Sequence, residues 1–162
     1  MLRFEIDGDP VTWMRAGYKR RTGAIYDRQS KVRSMYRGKF ESEYTSEPMS
    51  GPMEVEILFL LPIPESIKGR MRKDMVSNYV KHIKKPDLDN LEKLILDTMS
   101  GIIYVDDCQV TRKIASKRYS ERPRVVVTVQ AISNNENRQN QLEREYEEAL
   151  AEQHEDYIRD RP

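Results

Sequence analysis

KKPDLDNLEKLILDTMSGIIYVDDCQV, residues 84–110, is the stretch that decides how this chain reads. It sets three carboxylates, Asp87, Asp89 and Asp107, around a short helix that carries Lys93, with Lys84 and Lys85 just upstream. Clustered acids repel one another unless a cation or protons neutralise them. Acids flanked by lysines suggest a divalent metal meeting a phosphate, which points to phosphodiester chemistry on a nucleic acid.

Local rules give this stretch a shape. Pro86 biases Lys85 toward an extended conformation. In extended chain Asp87 and Asp89 point to one face and Leu88 to the other. Asp89 or Asn90 is a good N-cap, so a helix is expected from about Leu91 to Met99, stopping at Gly101. Leu91, Leu94, Ile95 and Thr98 would face the core, with Asp89, Lys93 and Asp97 opposite at four-residue spacing. Leu96 falls on that polar side and suggests a subunit contact. Ile102–Val105 reads as a short strand delivering Asp106 and Asp107, one of which should return beside Asp87 and Asp89. Three hard oxygen donors suit Mg²⁺, or Mn²⁺. An EF-hand is excluded, because Glu92 and Thr98 stand where a glycine and a glutamate would be needed. The plainer alternative is that Asp89 and Asn90 only cap a helix and Asp106-Asp107 only makes a turn.

Working outward, Leu2, Phe4 and Ile6 alternate in LRFEIDG as in a half-buried strand. Residues 13–40 carry nine lysines and arginines against the single acid Asp27, interleaved with Trp13, Tyr18, Tyr26, Tyr36 and Phe40. Such mixing suits phosphate contact and base stacking. Core packing is the alternative for Tyr36 and Phe40. Ser30–Tyr44 reads as a helix with Val32, Met35, Tyr36 and Phe40 inward. Residues 53–61, MEVEILFLL, form an expected central strand. Ser66 is placed to cap a short helix in the basic segment that follows. Strands are expected at Val110–Tyr119 and Arg124–Ala131. From about residue 133 the chain turns polar, then shows an apolar stripe at helical spacing from Leu142 to Tyr157. The expected fold is therefore α+β, a mixed sheet of four to five strands with helices packed on it. It comprises a body of residues 1–132 and an acidic, helical C-terminal extension of residues 133–162.

Bulk properties narrow the function class. Charged residues make up 34 % and hydrophobic ones 38 % of the 162 residues. No apolar run is long enough to span a bilayer, and the start lacks the apolar region of a signal peptide. The single cysteine, Cys108, rules out an internal disulfide, so a reducing cytoplasm is the expected compartment. The net charge of +1 conceals an asymmetry. Nine acids and four bases lie from Glu136 onward, leaving 24 bases against 18 acids before it. A basic body fits a polyanionic partner.

The residues of this central stretch resemble a known signature. KPD-x-DN-x-x-K (residues 85–93), the D-x-M-x-G-I turn (97–102) and the tyrosine followed by Asp106-Asp107 are similar to the motif of RusA-type Holliday junction resolvases. The resemblance extends upstream to GDPVTW (8–13) and downstream to Ile114-x-x-Lys117-x-Tyr119, covering about residues 1–132. Residues 10–21, PVTWMRAGYKRR, depart from the family's usual start. The resemblance implies a Mg²⁺-dependent endodeoxyribonuclease that acts as a homodimer on four-way DNA junctions in recombination and repair, often phage-encoded. It implies Asp87, Asp89 and Asp107 as metal-binding catalytic acids and Lys93 as the catalytic lysine. The expected DNA contacts are Arg15, Lys19, Arg20, Arg21, Lys68, Arg70, Arg72, Lys84, Lys85 and Lys117. Two other readings use the same surface: a junction- or single-strand-binding protein without nuclease activity, and a less selective nuclease for branched DNA.

Overall fold

Period-two burial builds the first strand. In β1, Leu2–Asp7, Phe4 and Ile6 are buried, while Arg3 and Glu5 pair with each other at 3.0 Å on the other side. The computed structural model describes residues 1–132. Within them follow a small hairpin of β2 (Gly17–Tyr18) and β3 (Ile25–Tyr26), helix α1 (Ser30–Glu43), β4 (Met53–Pro62), α2 (Gly69–Val76), α3 (Leu88–Met99), a single 3-10 turn (Asp107–Gln109), β5 (Val110–Ser120) and β6 (Arg124–Ala131).

Four strands form one mixed sheet in the order β1-β6-β4-β5. β6 runs antiparallel to both β1 and β4, whereas β5 runs parallel to β4. The parallel pair needs a crossover, and α2 and α3 supply it. That crossover brings the acidic segment back to the start of an edge strand. β4 is interior, as its apolar length suggests, and buries Met53, Val55, Ile57 and Phe59 without exposure. One face of the sheet packs against α1 and α3. Phe4, Ile57, Phe59 and Val127 meet Tyr36 and Phe40 of α1 and Leu91, Leu94, Ile95 and Met99 of α3 in one core. Phe4 and Phe40 meet edge to face at 5.2 Å. Each fully buried Leu or Phe contributes about 1.5–3 kcal/mol, so this layer fixes where α3 lies. A smaller cluster, Ile63, Met75 and Tyr119, seats α2 against the end of the sheet.

The α+β expectation holds, and so does the inward set Leu91, Leu94, Ile95 and Thr98. Several boundaries differ. α3 begins at Leu88, with Asp87 as its N-cap, rather than near Leu91. Asp89 is therefore a first-turn helical residue, and the extended alternation across 87–89 does not apply. Ile102–Val105 is a turn and not a strand. Gly101, at φ +73°, reverses the chain, the amides of Ile102 and Ile103 both bond Met99 O, and only isolated bridges at Tyr104 remain. α2 starts after Lys68, so Ser66 caps nothing. Met35 is half exposed, because Tyr36 and Phe40 already fill the inward stripe of α1. Leu96 is half-buried and leans on the main core. The C-terminal extension, residues 133–162, lies outside the described residues. Among the described residues no helix is long and apolar enough to cross a membrane.

Candidate functional site

The N-terminal end of α3 gathers the site. Asp87 has an extended backbone (φ −75°, ψ 141°) and makes no side-chain cap hydrogen bond. Its carboxylate is therefore not consumed by the helix it precedes. Asp89 is exposed in the first turn, where unpaired backbone amides favour negative charge. Lys93 follows one turn later, about 6 Å up the axis, and is also exposed. On the buried side of the same helix, Glu92 pairs with Lys113 of β5. That contact ties α3 to the sheet edge.

The Lys93 ammonium has an aromatic neighbour. Its Nζ stands 5.3 Å from the centroid of the Trp13 ring, a cation–π distance. Trp13 is held there by its own backbone: its amide donates to Asn90 O at 2.7 Å. Gln29, buried at the start of α1, fastens the same segment by accepting from Met14 N at 2.5 Å and donating to Thr12 O at 2.6 Å. Thr12, Trp13, Lys85, Pro86, Asp87 and Asn90 thus line an open cleft of about 420 Å³. The chain has one tryptophan, and its contact with Lys93 spans eighty residues, so spacing could not reveal it.

The two acids of the later pair differ in environment. Asp106 caps the 3-10 turn. Its Oδ1 accepts from Cys108 N at 2.9 Å, and its amide donates to the Gln109 side chain at 3.4 Å. The Cys108 hydrogen bonds hold the Asp106 carboxyl below the usual range, and that acid in turn pushes the Cys108 thiol up. Asp107 lies within the turn and is exposed. The turn packs on α3. Tyr104, buried beside it, donates to Leu96 O at 3.0 Å. Burial raises its hydroxyl far above the ordinary value, reinforced by Asp107, Asp97 and Asp106. Asp97 is engaged by Arg33 at 3.5 Å, which also reaches Asp27 at 3.4 Å.

Oxygen donors of this kind match a hard divalent cation. The structure brings Asp87 and Asp89 to the start of α3 with Lys93 one turn on, and places Asp107 on the 3-10 turn that packs on α3. Among the described residues, no three Asp, Glu, His or Cys side chains stand together as a ready metal-holding group.

The expected DNA contacts divide into two kinds. Arg15, Lys19, Arg20 and Arg21 are exposed on and beside the β2–β3 hairpin, as are Lys68, Arg70, Lys84 and Lys85 elsewhere. Lys19 lies 5.8 Å over the Tyr26 ring, and Arg70 sits 3.9 Å from Asp74 with its side chain almost wholly exposed. Arg72 is tied to Glu121 at 3.1 Å. Lys117 is half-buried and donates to two backbone carbonyls, Lys84 O at 2.9 Å and Pro86 O at 2.6 Å.

Comparison with known proteins places the chain in a family. The model of the family "Endodeoxyribonuclease RusA" matches residues 7–130, which span every element from the end of β1 to β6. The chain is also similar to the "Uncharacterized protein YqaN" of Bacillus subtilis (strain 168), 30 % identical over 138 residues, covering 82 % of this chain and 97 % of that protein. With the motif acids and the lysine inside the matched span, this chain belongs to the RusA endodeoxyribonuclease family.

Proposed function

We propose that this protein is a divalent-metal-dependent endonuclease that cuts four-way DNA junctions by paired nicks. The observation that carries the proposal is the start of α3: two carboxylates, Asp87 and Asp89, beside an exposed lysine that rests on an indole. Asp87, Asp89 and Asp107 are the residues that would hold Mg²⁺. Asp106 is the less suitable member of its pair, since its carboxylate is committed to its own turn. When bound, the metal supplies an acidified water and charge neutralisation at the phosphate.

The chain's own groups account for the rest. Lys93 places a positive charge where negative charge develops on the phosphoryl oxygens, which is the larger part of such catalysis. The Trp13 face limits the positions open to that ammonium, and the amides at the start of α3 add to the field. The exposed bases of the β2–β3 hairpin, with Lys84 and Lys85, grip phosphates and set the register of the DNA without reading its sequence. A two-fold pair of copies would present two such sites to opposed strands.

The test compares a synthetic four-way junction, a flap and a linear duplex as substrates in Mg²⁺, with Asp89→Asn alongside the unaltered protein. The expected result is symmetric nicking of the junction in preference to the other two, lost in Asp89→Asn while junction binding is kept or strengthened. Equal cutting of all three substrates favours a general branched-DNA nuclease. Tight binding without any nick favours a binding protein, and normal cutting by Asp89→Asn removes the acid assignment.

A further inference from the structure

The geometry points to Lys117 as a positioning residue that sets the backbone in front of Asp87, not a contact to DNA. The inference rests on the nuclease reading only for its link to cleavage.

Between α2 and α3 the chain crosses residues 77–87 with little support of its own. Among the described residues, 81–86 make no backbone–backbone hydrogen bond, and Pro86 has no amide to donate. Two side chains of β5, two residues apart and so on one face of the strand, hold this stretch instead. Buried Tyr119 packs its ring against His82 at a centroid distance of 4.5 Å. Lys117 sends its ammonium to the carbonyls of Lys84 and Pro86. The Pro86 carbonyl belongs to the peptide plane that ends on the nitrogen of Asp87. With that plane held on one side and the Leu91 amide bonded to Asp87 O on the other, the direction in which the Asp87 side chain leaves the backbone is restricted. The Asp87 carboxylate has no cap hydrogen bond of its own, so its placement depends on the backbone that carries it. Two of the three ammonium donors are spent on carbonyls, and the side chain is half-buried, which makes Lys117 a poor partner for a phosphate. Lys84 and Lys85, on the same stretch, are exposed and suit that task.

The test replaces Lys117 by methionine, which keeps the apolar stem and removes the donors. The readouts are Mn²⁺ binding to the full chain without DNA, junction affinity in EDTA across salt concentrations, and single-turnover cleavage. The expected result for Lys117→Met is at least a tenfold weaker Mn²⁺ affinity and a similar loss in cleavage rate. Junction affinity should stay within about twofold, with an unchanged salt slope, and Lys117→Arg should recover much of the Mn²⁺ affinity. Unchanged Mn²⁺ affinity overturns the assignment. So does a drop in junction affinity with a salt slope shallower by about 0.9, the signature of one lost phosphate contact. Amine acetylation of the unaltered protein is independent of variant folding. Lys117 should react slowly with or without junction, while Lys84 and Lys85 react fast and are protected by it. Fast reaction at Lys117 with protection by DNA overturns the assignment. If the unaltered protein binds Mn²⁺ but cuts no DNA, the nuclease reading fails, while the Mn²⁺ and acetylation results still decide the role of Lys117.

Discussion

Lys93 is the residue whose neighbour the sequence hides. The motif places it one turn beyond Asp89, which suggests an ion pair, yet its ammonium stands 5.3 Å from the centroid of the Trp13 ring. An ammonium held over an aromatic face keeps its charge available, whereas one bonded to a carboxylate would need to be released before meeting a phosphate. Lys93→Ala should therefore slow single-turnover cleavage by at least ~10²-fold, the scale of one lost transition-state donor, while junction binding changes little. A loss confined to affinity would make Lys93 a binding group only. At this scale the shared placement of Asp87, Asp89 and Lys93 at one helix end was legible because their spacing is local. Trp13, Gln29 and Lys117 were not, because each acts on a partner fifteen to eighty residues away. Lys117 and Arg72, both expected to contact DNA, also have partners within the protein that local pattern does not reveal. Their partners, two carbonyls and Glu121, come from other elements.

At the level of elements, the start of α3 was misplaced because Asp87, Asp89 and Asn90 are all good N-caps. Intrinsic preference does not choose among them, and the extended conformation of Asp87 in the folded chain does. The apolar run 102–105 reads equally as a strand or as a buried turn. Gly101 and the carbonyl of Met99 select the turn. The connector before α3 is held by a contact that includes a titratable ring. His82 is buried against Tyr119, and burial together with Lys117 and Lys84 lowers its pKa below the ordinary 6.5. A lowered folded-state pKa means that the unfolded chain takes up the proton first. Stability attributable to this group is thus complete above pH 6.5 and declines as pH falls from there toward the depressed native value. Denaturant midpoints measured across that window should fall more for the native sequence than for His82→Phe, which keeps the ring contact but cannot titrate. Parallel pH profiles would show that His82 titrates as it does in the unfolded chain.

For the whole molecule, the mixed sheet does the organising. Its parallel β4–β5 pair forces a crossover, and that crossover delivers α3 and the 3-10 turn to the same region. The fold class was readable because β1, β4, β5 and β6 each carry their own pattern. The strand order was not, since β6 joins last yet sits between β1 and β4. The exposed bases of the β2–β3 hairpin and of residues 68–85 remain on the surface, as a polyanion-binding protein requires. The central claim is that Asp107, and not its neighbour Asp106, completes the acid set begun by Asp87 and Asp89. The most direct measurement is Mg²⁺-dependent nicking of a fixed four-way junction by the unaltered protein, Asp106→Asn and Asp107→Asn. Asparagine can still cap a turn, so Asp106→Asn should nick at close to the unaltered rate, while Asp107→Asn should bind the junction without cutting it. Unaltered-rate nicking by Asp107→Asn, or nicking by any of the three in EDTA, would contradict the claim.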